Sequence, residues 1–432
     1  MNAIAIKPKD RDLVFQALSA GVVPRAGLRH IQVGRAAEVA ALVKDIDRIA
    51  DQGSALRFVI GEYGAGKTFF LNLVRLIALE RKCVTIHADL APDRRIHATG
   101  GQARGLYAEA VRNMATRTRP EGGALASVVE RFVTDCVQTA STLNQPVERQ
   151  IDERLASLQE HVGGYDFATV LKAYWRGSEE GDEGLKSAAL RWLRGEYSTK
   201  TEARQALDVR NVIDDSNVYD ATKLLAAFVR LAGYAGLLVV FDEMVNLYKL
   251  QSAQARNANY EEILRIVNDT LQGNVHGLGF AFGGTPEFLM DPRRGLYSYP
   301  ALQSRLAENA FAGKGLVDLS GPVLRLQSLT PEELMVLLQN LRNVFTLGES
   351  GADQIPDEAL AAFMAHCNQK IGEAYFKTPR NTIKAFVQLL TILEQNPGVT
   401  WRDLLGGVDV ANDQGEDAES LGDDDELTSL RI

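Results

Sequence analysis

The sequence predicts an α/β fold in which helices cover both faces of a central parallel sheet. A glycine-rich run, GEYGAGKT at 61–68, stands between a short apolar segment and a longer helical one. A second apolar segment ends in the adjacent carboxylates Asp242 and Glu243. Apolar runs of strand length alternate with helical stretches, which is typical of a parallel sheet that binds its ligand at the carboxyl ends of the strands.

The glycine-rich run has the spacing of a phosphate-binding loop, G-x-x-x-x-G-K-[ST]. In such a loop, consecutive backbone N–H groups turn inward around a polyphosphate. Lys67 would reach the β- and γ-phosphates, and the Thr68 hydroxyl would bind Mg²⁺. We expect the nucleotide to contact the whole loop and the residue after it: Gly61, Glu62, Tyr63, Gly64, Ala65, Gly66, Lys67, Thr68 and Phe69.

The segments that flank this run disfavour the alternative of a flexible loop that happens to contain a lysine. Residues 56–60 form a short apolar run, as expected for a buried parallel strand. Residues 69–79 contain no Gly or Pro and predict a buried helix. The N-terminus of that helix would point at the phosphates, where the helix dipole favours an anion.

The acidic pair follows a second predicted buried strand, at 236–241. Asp242 would hold Mg²⁺ through its water shell, and Glu243 would orient and activate the attacking water. The alternative is a buried strand followed by an acidic helix cap. The phosphate-binding loop upstream favours the catalytic interpretation, because the two motifs occur together in ATPases.

Further apolar runs at 83–88, 278–285 and 323–326 predict three more strands. The run at 278–285 ends in Thr285, where P-loop ATPases with an additional strand place a group that senses the γ-phosphate. Gly-Thr-Pro is also an ordinary helix start, so both interpretations stay open. Ahead of the loop, Val33, Gly34 and Arg35, together with 22–24, either form an adenine pocket or cap a helix.

The chain has 432 residues, of which 46% are hydrophobic, enough for one large core and a smaller one. Cys83, Cys136 and Cys367 are odd in number and far apart, which suggests neither a disulfide framework nor a zinc site. The sequence contains no apolar stretch of membrane-spanning length, and its first residues lack a signal-peptide core. We therefore expect a cytoplasmic protein that does not bind membranes.

The net charge of −9 arises largely from an acidic tail at 411–432, which we expect to be disordered. Residues 101–230 predict a large helical insertion. There, Trp175 and Trp192 lie near Arg191 and Arg194, a mixture that could hold a nucleic-acid strand, although packing of the tryptophans inside a helical subdomain is favoured. The predicted organisation is an N-terminal segment at 1–55, an ATPase core at 56–329, a helical lid at 330–410 and the tail.

Several longer stretches resemble the BREX-system ATP-binding protein BrxD family, a branch of the AAA+ ATPases near the origin-recognition and STAND groups. The resemblance covers nearly the whole chain except the acidic tail. It implies an ATP- and Mg²⁺-binding AAA+ protein of bacterial antiphage defence, often encoded near a Lhr-like helicase. The stretches are VGR at 33–35, GEYGAGKT, VVFDEMVNLYKL at 239–250, RNANYEEILRIVND at 256–269, GFAFGGTPEFLMDPRRGLYSYPALQSRL at 279–306 and the Thr-Pro-Arg segment at 378–380.

The AAA+ resemblance assigns roles to two arginines. Arg305 lies where AAA+ proteins carry the arginine that reaches into a neighbouring subunit's ATP, and Arg293 and Arg294 compete for that role. Arg380, at the start of a predicted helix in the lid, is a candidate second sensor that touches the phosphates. For Arg305 and Arg380 alike, the alternative is an ordinary salt bridge.

Two functional hypotheses follow. The first is a Mg²⁺-dependent ATPase that self-associates head to tail into a ring or filament and remodels DNA or a Lhr-like helicase partner. The second is a nucleotide-gated scaffold that hydrolyses ATP slowly and holds partner proteins. A metabolic kinase is disfavoured, because no separate acceptor pocket can be recognised in the sequence.

Overall fold

The computed structural model describes residues 6–24, 26–311, 318–348, 355–371 and 379–405. The chain divides into two compact units. The core unit comprises Arg35–Gly61 and Lys67–Leu326, and the terminal unit comprises Met1–Gly34, Glu62–Gly66 and Gln327–Ile432. The four segments proposed from the sequence stay predictions, and the acidic tail at 411–432 lies outside the described residues.

Five parallel strands form the sheet of the core unit, in the spatial order β2-β3-β4-β1-β5. Each strand coincides with an apolar run of the sequence, and the ends differ by at most two residues. The prediction of a central parallel sheet is therefore confirmed. The strands are β1 Ser54–Ile60, β2 Val84–Asp89, β3 Leu237–Asp242, β4 Leu278–Gly284 and β5 Val323–Arg325.

Helices occupy most of the remaining described chain, and 3-10 turns lie at Ala156–Glu160 and Leu296–Ser298. Helices dominate the region between β2 and β3, as the sequence predicts. In chain order the α-helices are α1 Pro8–Ser19, α2 Leu28–Ile31, α3 Ala36–Ala50, α4 Lys67–Glu80, α5 Gln102–Arg112, α6 Leu125–Leu143, α7 Val147–Leu155, α8 Gly164–Glu180, α9 Glu183–Leu193, α10 Lys200–Leu207, α11 Val218–Leu231, α12 Val245–Tyr248, α13 Ala253–Leu271, α14 Pro286–Met290, α15 Pro300–Leu306, α16 Pro331–Phe345, α17 Asp357–Ile371, α18 Pro379–Gln395 and α19 Trp401–Leu405.

The two faces of the sheet pack against different sets of helices. On one face, α3 and α4 contribute a compact apolar cluster that includes Leu42 and Phe70. On the other face, the helices between β2 and β3 join a larger cluster that contains Phe132 and Phe228. Trp192 belongs to this second cluster, is 3% exposed and donates its indole N–H to the Asn211 carbonyl at 2.9 Å. The structure therefore favours packing over nucleic-acid stacking for Trp192.

A buried ion pair joins α3 to the middle of β1. Asp45 is 4% exposed and Arg57 is 6% exposed. The Arg57 guanidinium donates to both carboxylate oxygens of Asp45, with Nη2 to Oδ1 at 3.2 Å, and also to the Gly321 carbonyl. Arg57 thus interrupts an otherwise apolar strand without leaving an unpaired buried charge.

Replacing Asp45 by alanine is expected to destabilise the core unit by about 3–5 kcal/mol, because the buried Arg57 charge would then have no ionic partner. The decrease should be measured as a lower denaturant midpoint of unfolding. Arg48→Ala is the matched control, because the exposed Arg48 lies 3.8 Å from the same carboxylate and its loss should cost less than about 1 kcal/mol. Equal midpoints for the two variants would contradict the assignment.

In the terminal unit, residues from both ends of the chain pack together. The Arg11 side chain in α1 donates Nε to the Phe345 carbonyl at 2.7 Å and pairs with Glu394 of α18. Its guanidinium lies 4.8 Å from the centre of the Phe345 ring. Helix α16 begins directly after Thr330, with a complete capping box between Thr330 and Glu333.

The three cysteines are free and buried. Burial raises the pKa of Cys83 and of Cys136 to about 11 and that of Cys367 to about 12, so the thiols stay protonated. Across the described ranges, none of the helices is both long enough and apolar enough to cross a membrane.

Candidate functional site

The glycine-rich run forms the loop between β1 and α4. The Gly61 N–H donates to the Gly284 carbonyl at 3.2 Å and ties the start of the loop to the end of β4. Gly64 and Gly66 adopt φ values of +73° and +80°, a left-handed backbone that glycine enters without a steric penalty. Helix α4 begins at Lys67, so its first N–H groups follow directly after the loop.

The side chains at the start of α4 meet the acidic end of β3. Lys67 Nζ donates to the Gly61 carbonyl at 2.9 Å, and Thr68 Oγ1 donates to Asp242 Oδ2 at 2.7 Å. Because β4 lies between β1 and β3, these strands are about 10 Å apart. The hydrogen bond between the Thr68 and Asp242 side chains spans this distance. It brings together two motifs that are 174 residues apart in the chain.

A missing side chain in β4 makes room for the Asp242 carboxylate. Asp242 is 6% exposed, and its Oδ1 accepts the Glu243 N–H at 2.8 Å. A Cβ atom on Gly283 would lie 2.2 Å from the same Oδ1 and 2.8 Å from Leu71 Cδ1. Only glycine at position 283 therefore permits this placement of the carboxylate.

Glu243 lies beside Asp242 in a strained backbone conformation, with φ at +56°. Burial raises the pKa of its carboxyl group, and the negative charges of Asp242 and Asp89 add to the increase. The ammonium groups of Lys67 and Lys249 act in the opposite direction. The net effect is a raised pKa, so Glu243 takes up a proton more readily than an isolated glutamate does.

The structure adds a third carboxylate that the sequence interpretation missed. Asp89 ends β2 and pairs in register with Asp242. Loss of solvent around the carboxyl group raises the pKa of Asp89, and the Asp242 charge raises it further, while Arg94 and Arg75 lower it. An acid at the end of an apolar strand was the available signal, because neighbouring parallel strands bring their carboxyl ends to one edge.

Thr285 acts locally as a helix cap. It is 5% exposed, and its hydroxyl accepts the Phe288 N–H at 3.4 Å at the start of α14. Thr285 also directly follows Gly284, whose carbonyl binds the first residue of the glycine-rich loop. The hydrogen bond from Phe288 therefore supports the helix-start interpretation of Thr285. The phosphate-sensor role of Thr285 stays a prediction.

The three candidate finger arginines differ in their surroundings. Arg294 Nη2 donates to the carbonyls of Tyr248 and Leu250 at 3.2 and 3.1 Å, so this side chain is hydrogen-bonded within its own chain. Arg305 is exposed at the end of α15, and its Nε donates to Asn268 Oδ1 at 2.6 Å. Arg293 is also exposed. Arg294 is thus the least suited to reach a neighbouring subunit.

The residues proposed to bind adenine are Val33, Gly34 and Arg35, and the proposed second sensor is Arg380. Gly34 has φ at +64°, and a Cβ there would lie 2.3 Å from Glu333 Oε1. Val33, next to it, is half-buried. The Arg35 guanidinium lies 6.0 Å from the centre of the Phe70 ring. Arg380 is exposed in the first turn of α18, and the preceding Thr378 lies outside the described residues.

The Thr68 and Asp242 oxygens suit Mg²⁺ better than a metal ion that takes all of its ligands from protein side chains. Across the ranges that the structure describes, no group of three or more His, Cys, Asp or Glu side chains is arranged to hold a metal ion. The Thr68 hydroxyl and the Asp242 carboxylate lie 2.7 Å apart. Mg²⁺ prefers such hard oxygen ligands and takes its other ligands from phosphates and water.

Comparison with known proteins identifies a family. None of the curated proteins matches the chain significantly. The family model of the BREX system ATP-binding protein BrxC/D matches residues 6–409, which includes the glycine-rich loop, the acidic pair and α14 to α18. On this match, the chain belongs to the BREX system ATP-binding protein BrxC/D family.

Proposed function

We propose that this protein is a Mg²⁺-dependent AAA+ ATPase that works within a BREX-type antiphage defence system. The observation that supports the proposal is the 2.7 Å hydrogen bond between Thr68 and Asp242, which joins the first turn of α4, directly after the glycine-rich run, to the acidic pair. The family match supports ATP binding in a defence system. Hydrolysis is our inference from the acid beside that contact.

Each residue of the site has a role in the proposed reaction. The N–H groups of the loop from Gly61 to Gly66 and the start of α4 bind the phosphate oxygens. Lys67 exchanges its contact with the Gly61 carbonyl for one with the β- and γ-phosphates. Thr68 and Asp242 would hold Mg²⁺, which neutralises charge on the phosphates when it is bound.

Glu243 is the proposed general base. Its carboxylate accepts a proton from the water that attacks the γ-phosphorus, and the Asp242 carboxylate fixes the Glu243 N–H through Oδ1. Burial and the neighbouring negative charges raise the Glu243 pKa, which strengthens it as a base. Thr285, one residue beyond the strand that contacts the loop, is the proposed sensor of the γ-phosphate.

Assembly and coupling form the finer part of the proposal. The exposed Arg305 would reach the ATP of a neighbouring subunit in a ring or filament, and the ATPase would act on DNA or on a Lhr-like helicase. Helices α16 to α19 form the proposed lid, with Arg380 as its sensor. The adenine ring is assigned to Val33, Gly34 and Arg35, and α5 to α11 form the proposed insertion.

A nucleotide-gated scaffold with slow hydrolysis is the second candidate function. One observation favours it: the Arg305 guanidinium is held by Asn268 and by the Ala301 carbonyl of its own chain. An arginine that stays in these contacts cannot complete a neighbour's site. Slow turnover would then time the binding of partner proteins.

Gly283→Ala should weaken Mg²⁺-dependent ATP binding at least about tenfold, since the added methyl displaces the Asp242 carboxylate from Thr68. Titration with a fluorescent ATP analogue measures the change. The control is Gly321→Ala, where an added Cβ meets nothing within 4 Å. If the Gly283 variant binds as tightly as the control variant, the Asp242 assignment is wrong.

The direct test of the proposed function is phosphate release across a range of protein concentrations, with and without single-stranded and duplex DNA. Steady turnover that Lys67→Ala abolishes supports the ATPase. A steep rise of specific activity with concentration supports shared sites, and DNA stimulation supports the remodelling role over the scaffold. If the wild-type protein binds ATP but shows no turnover under any of these conditions, hydrolysis is refuted.

A further inference from the structure

The turn that carries Glu243 is held from several sides. A non-glycine residue with φ near +56° persists only where its surroundings fix it. The Met244 N–H donates to the Gly283 carbonyl at 3.0 Å, and the Asn246 N–H donates to the Glu243 carbonyl at 3.0 Å. Asn246 Nδ2 also donates to the Leu90 carbonyl, just beyond β2, at 2.8 Å. The near end of the turn is thus anchored to β2 and β4.

The far end of the turn is anchored through Tyr248. Its hydroxyl donates to Asp291 Oδ2 at 2.8 Å, immediately beyond α14. The other oxygen of Asp291 accepts the N–H groups of Arg293 and Arg294 at 2.7 and 3.1 Å. These hydrogen bonds, first that from Arg293 and next that from Tyr248, lower the pKa of Asp291 and keep it ionised. A charged acceptor makes each of these bonds stronger than a neutral one.

Arg294 links the same two segments in the opposite direction, from the segment after β4 to the segment after β3. Its Nη2 donates to the Tyr248 and Leu250 carbonyls, and its guanidinium lies 5.5 Å from the centre of the Tyr248 ring. The Arg294 carbonyl in turn accepts the Tyr260 hydroxyl of α13 at 2.6 Å. Tyr248, Asp291 and Arg294 therefore form a reciprocal clamp between the segment after β3 and the segment after β4.

The clamp is connected to the candidate site along the chain, through Glu243. Tyr248 ends the short helix α12, which starts two residues after Glu243. Helix α13, which binds the clamp through Tyr260, also holds Arg305 through Asn268. The clamp thus connects the turn of the proposed base with the helix that supports the candidate finger.

We propose that Tyr248, Asp291 and Arg294 are positioning residues that hold Glu243 in its water-activating orientation without contributing to ATP affinity. This inference rests on the proposed ATPase function. Small displacements of a catalytic group lower the rate strongly, because proton transfer requires a narrow range of distances. Loss of the clamp should therefore lower kcat and leave KM unchanged.

The test is Tyr248→Phe, which removes one hydroxyl and keeps the ring beside Arg294. We expect kcat for ATP hydrolysis to fall about ten- to a hundredfold, with KM and the ATP dissociation constant unchanged within about twofold. Tyr165→Phe, at an exposed tyrosine on α8, is the matched control and should leave kcat unchanged. Arg294→Lys removes the guanidinium, whose Nη2 donates to the Tyr248 and Leu250 carbonyls, and should reproduce the kcat effect.

A double-mutant cycle separates positioning from a general structural effect. In a Glu243→Gln background, Tyr248→Phe should cause no further loss of turnover, because the clamp acts through the glutamate. An additional loss in that background, or a wild-type kcat in both Tyr248→Phe and Arg294→Lys, overturns the inference while the proposed function stands. Absence of turnover in the wild-type protein refutes the proposed function, and the inference with it.

Discussion

Glu243→Gln is expected to arrest ATP hydrolysis and to leave ATP binding intact. Glutamine has the size and hydrogen-bonding groups of glutamate but cannot take the proton of the attacking water. The loss of turnover should be about 10²- to 10⁴-fold, the usual contribution of a general base. The substitution also removes a negative charge beside Asp242 and Asp89, so Mg²⁺–ATP should bind at least as tightly as before. Single-turnover phosphate release and equilibrium ATP titration measure the two effects.

The matched control for this substitution is Glu287→Gln, which removes an exposed acid from the first turn of α14. It should keep wild-type turnover, which shows that loss of charge alone does not stop the reaction. Undiminished steady-state hydrolysis in Glu243→Gln would show that another group activates the water. Loss of ATP binding together with turnover would indicate a structural role for Glu243.

Arg305→Ala should lower turnover by about 10³- to 10⁵-fold if the guanidinium stabilises the transferring phosphoryl group of a neighbouring subunit. The side chain is exposed, and so are the two contacts that hold it, with Asn268 of α13 and with the Ala301 carbonyl of α15. Mixing experiments identify a shared site. Arg305→Ala subunits keep a complete phosphate loop, and Lys67→Ala subunits keep the finger, so a mixture should regain part of the activity.

Arg293→Ala is the control, because Arg293 is exposed and lies in the same segment of the chain. It should retain turnover if Arg305 is the finger, and the two results should be reversed if Arg293 has that role. Failure of the Arg305 and Lys67 variants to restore activity at any mixing ratio would count against a shared site and favour the scaffold hypothesis.

The sequence alone could predict the sheet, because buried parallel strands are continuous apolar runs with few competing patterns. All five strands and the helix after the loop are present as expected. The convergence of Thr68 with Asp242 also followed from the sequence, since parallel strands end at one edge of the sheet.

Other parts of the site depend on register across strands, which the sequence does not reveal. Gly283 matters because its missing Cβ faces Asp242 on the neighbouring strand. Asp89 can be assigned a position beside Asp242 only once β2 is paired in register with β3. The grouping of residues 1–34 with the chain after 327 depends on contacts such as that between Arg11 and the Phe345 carbonyl, which no local pattern indicates.

If Thr68 and Asp242 hold the Mg²⁺ of a bound ATP, as we propose, the affinity for ATP should depend on Mg²⁺ through these two side chains. ATP should be titrated into Glu243→Gln protein, which cannot consume it, with and without Mg²⁺, and then into the Glu243→Gln, Asp242→Asn double variant. We expect Mg²⁺ to tighten ATP binding to the first protein at least about tenfold and to have little effect on ATP binding to the second. The same dependence on Mg²⁺ in both proteins would show that Asp242 does not hold the ion.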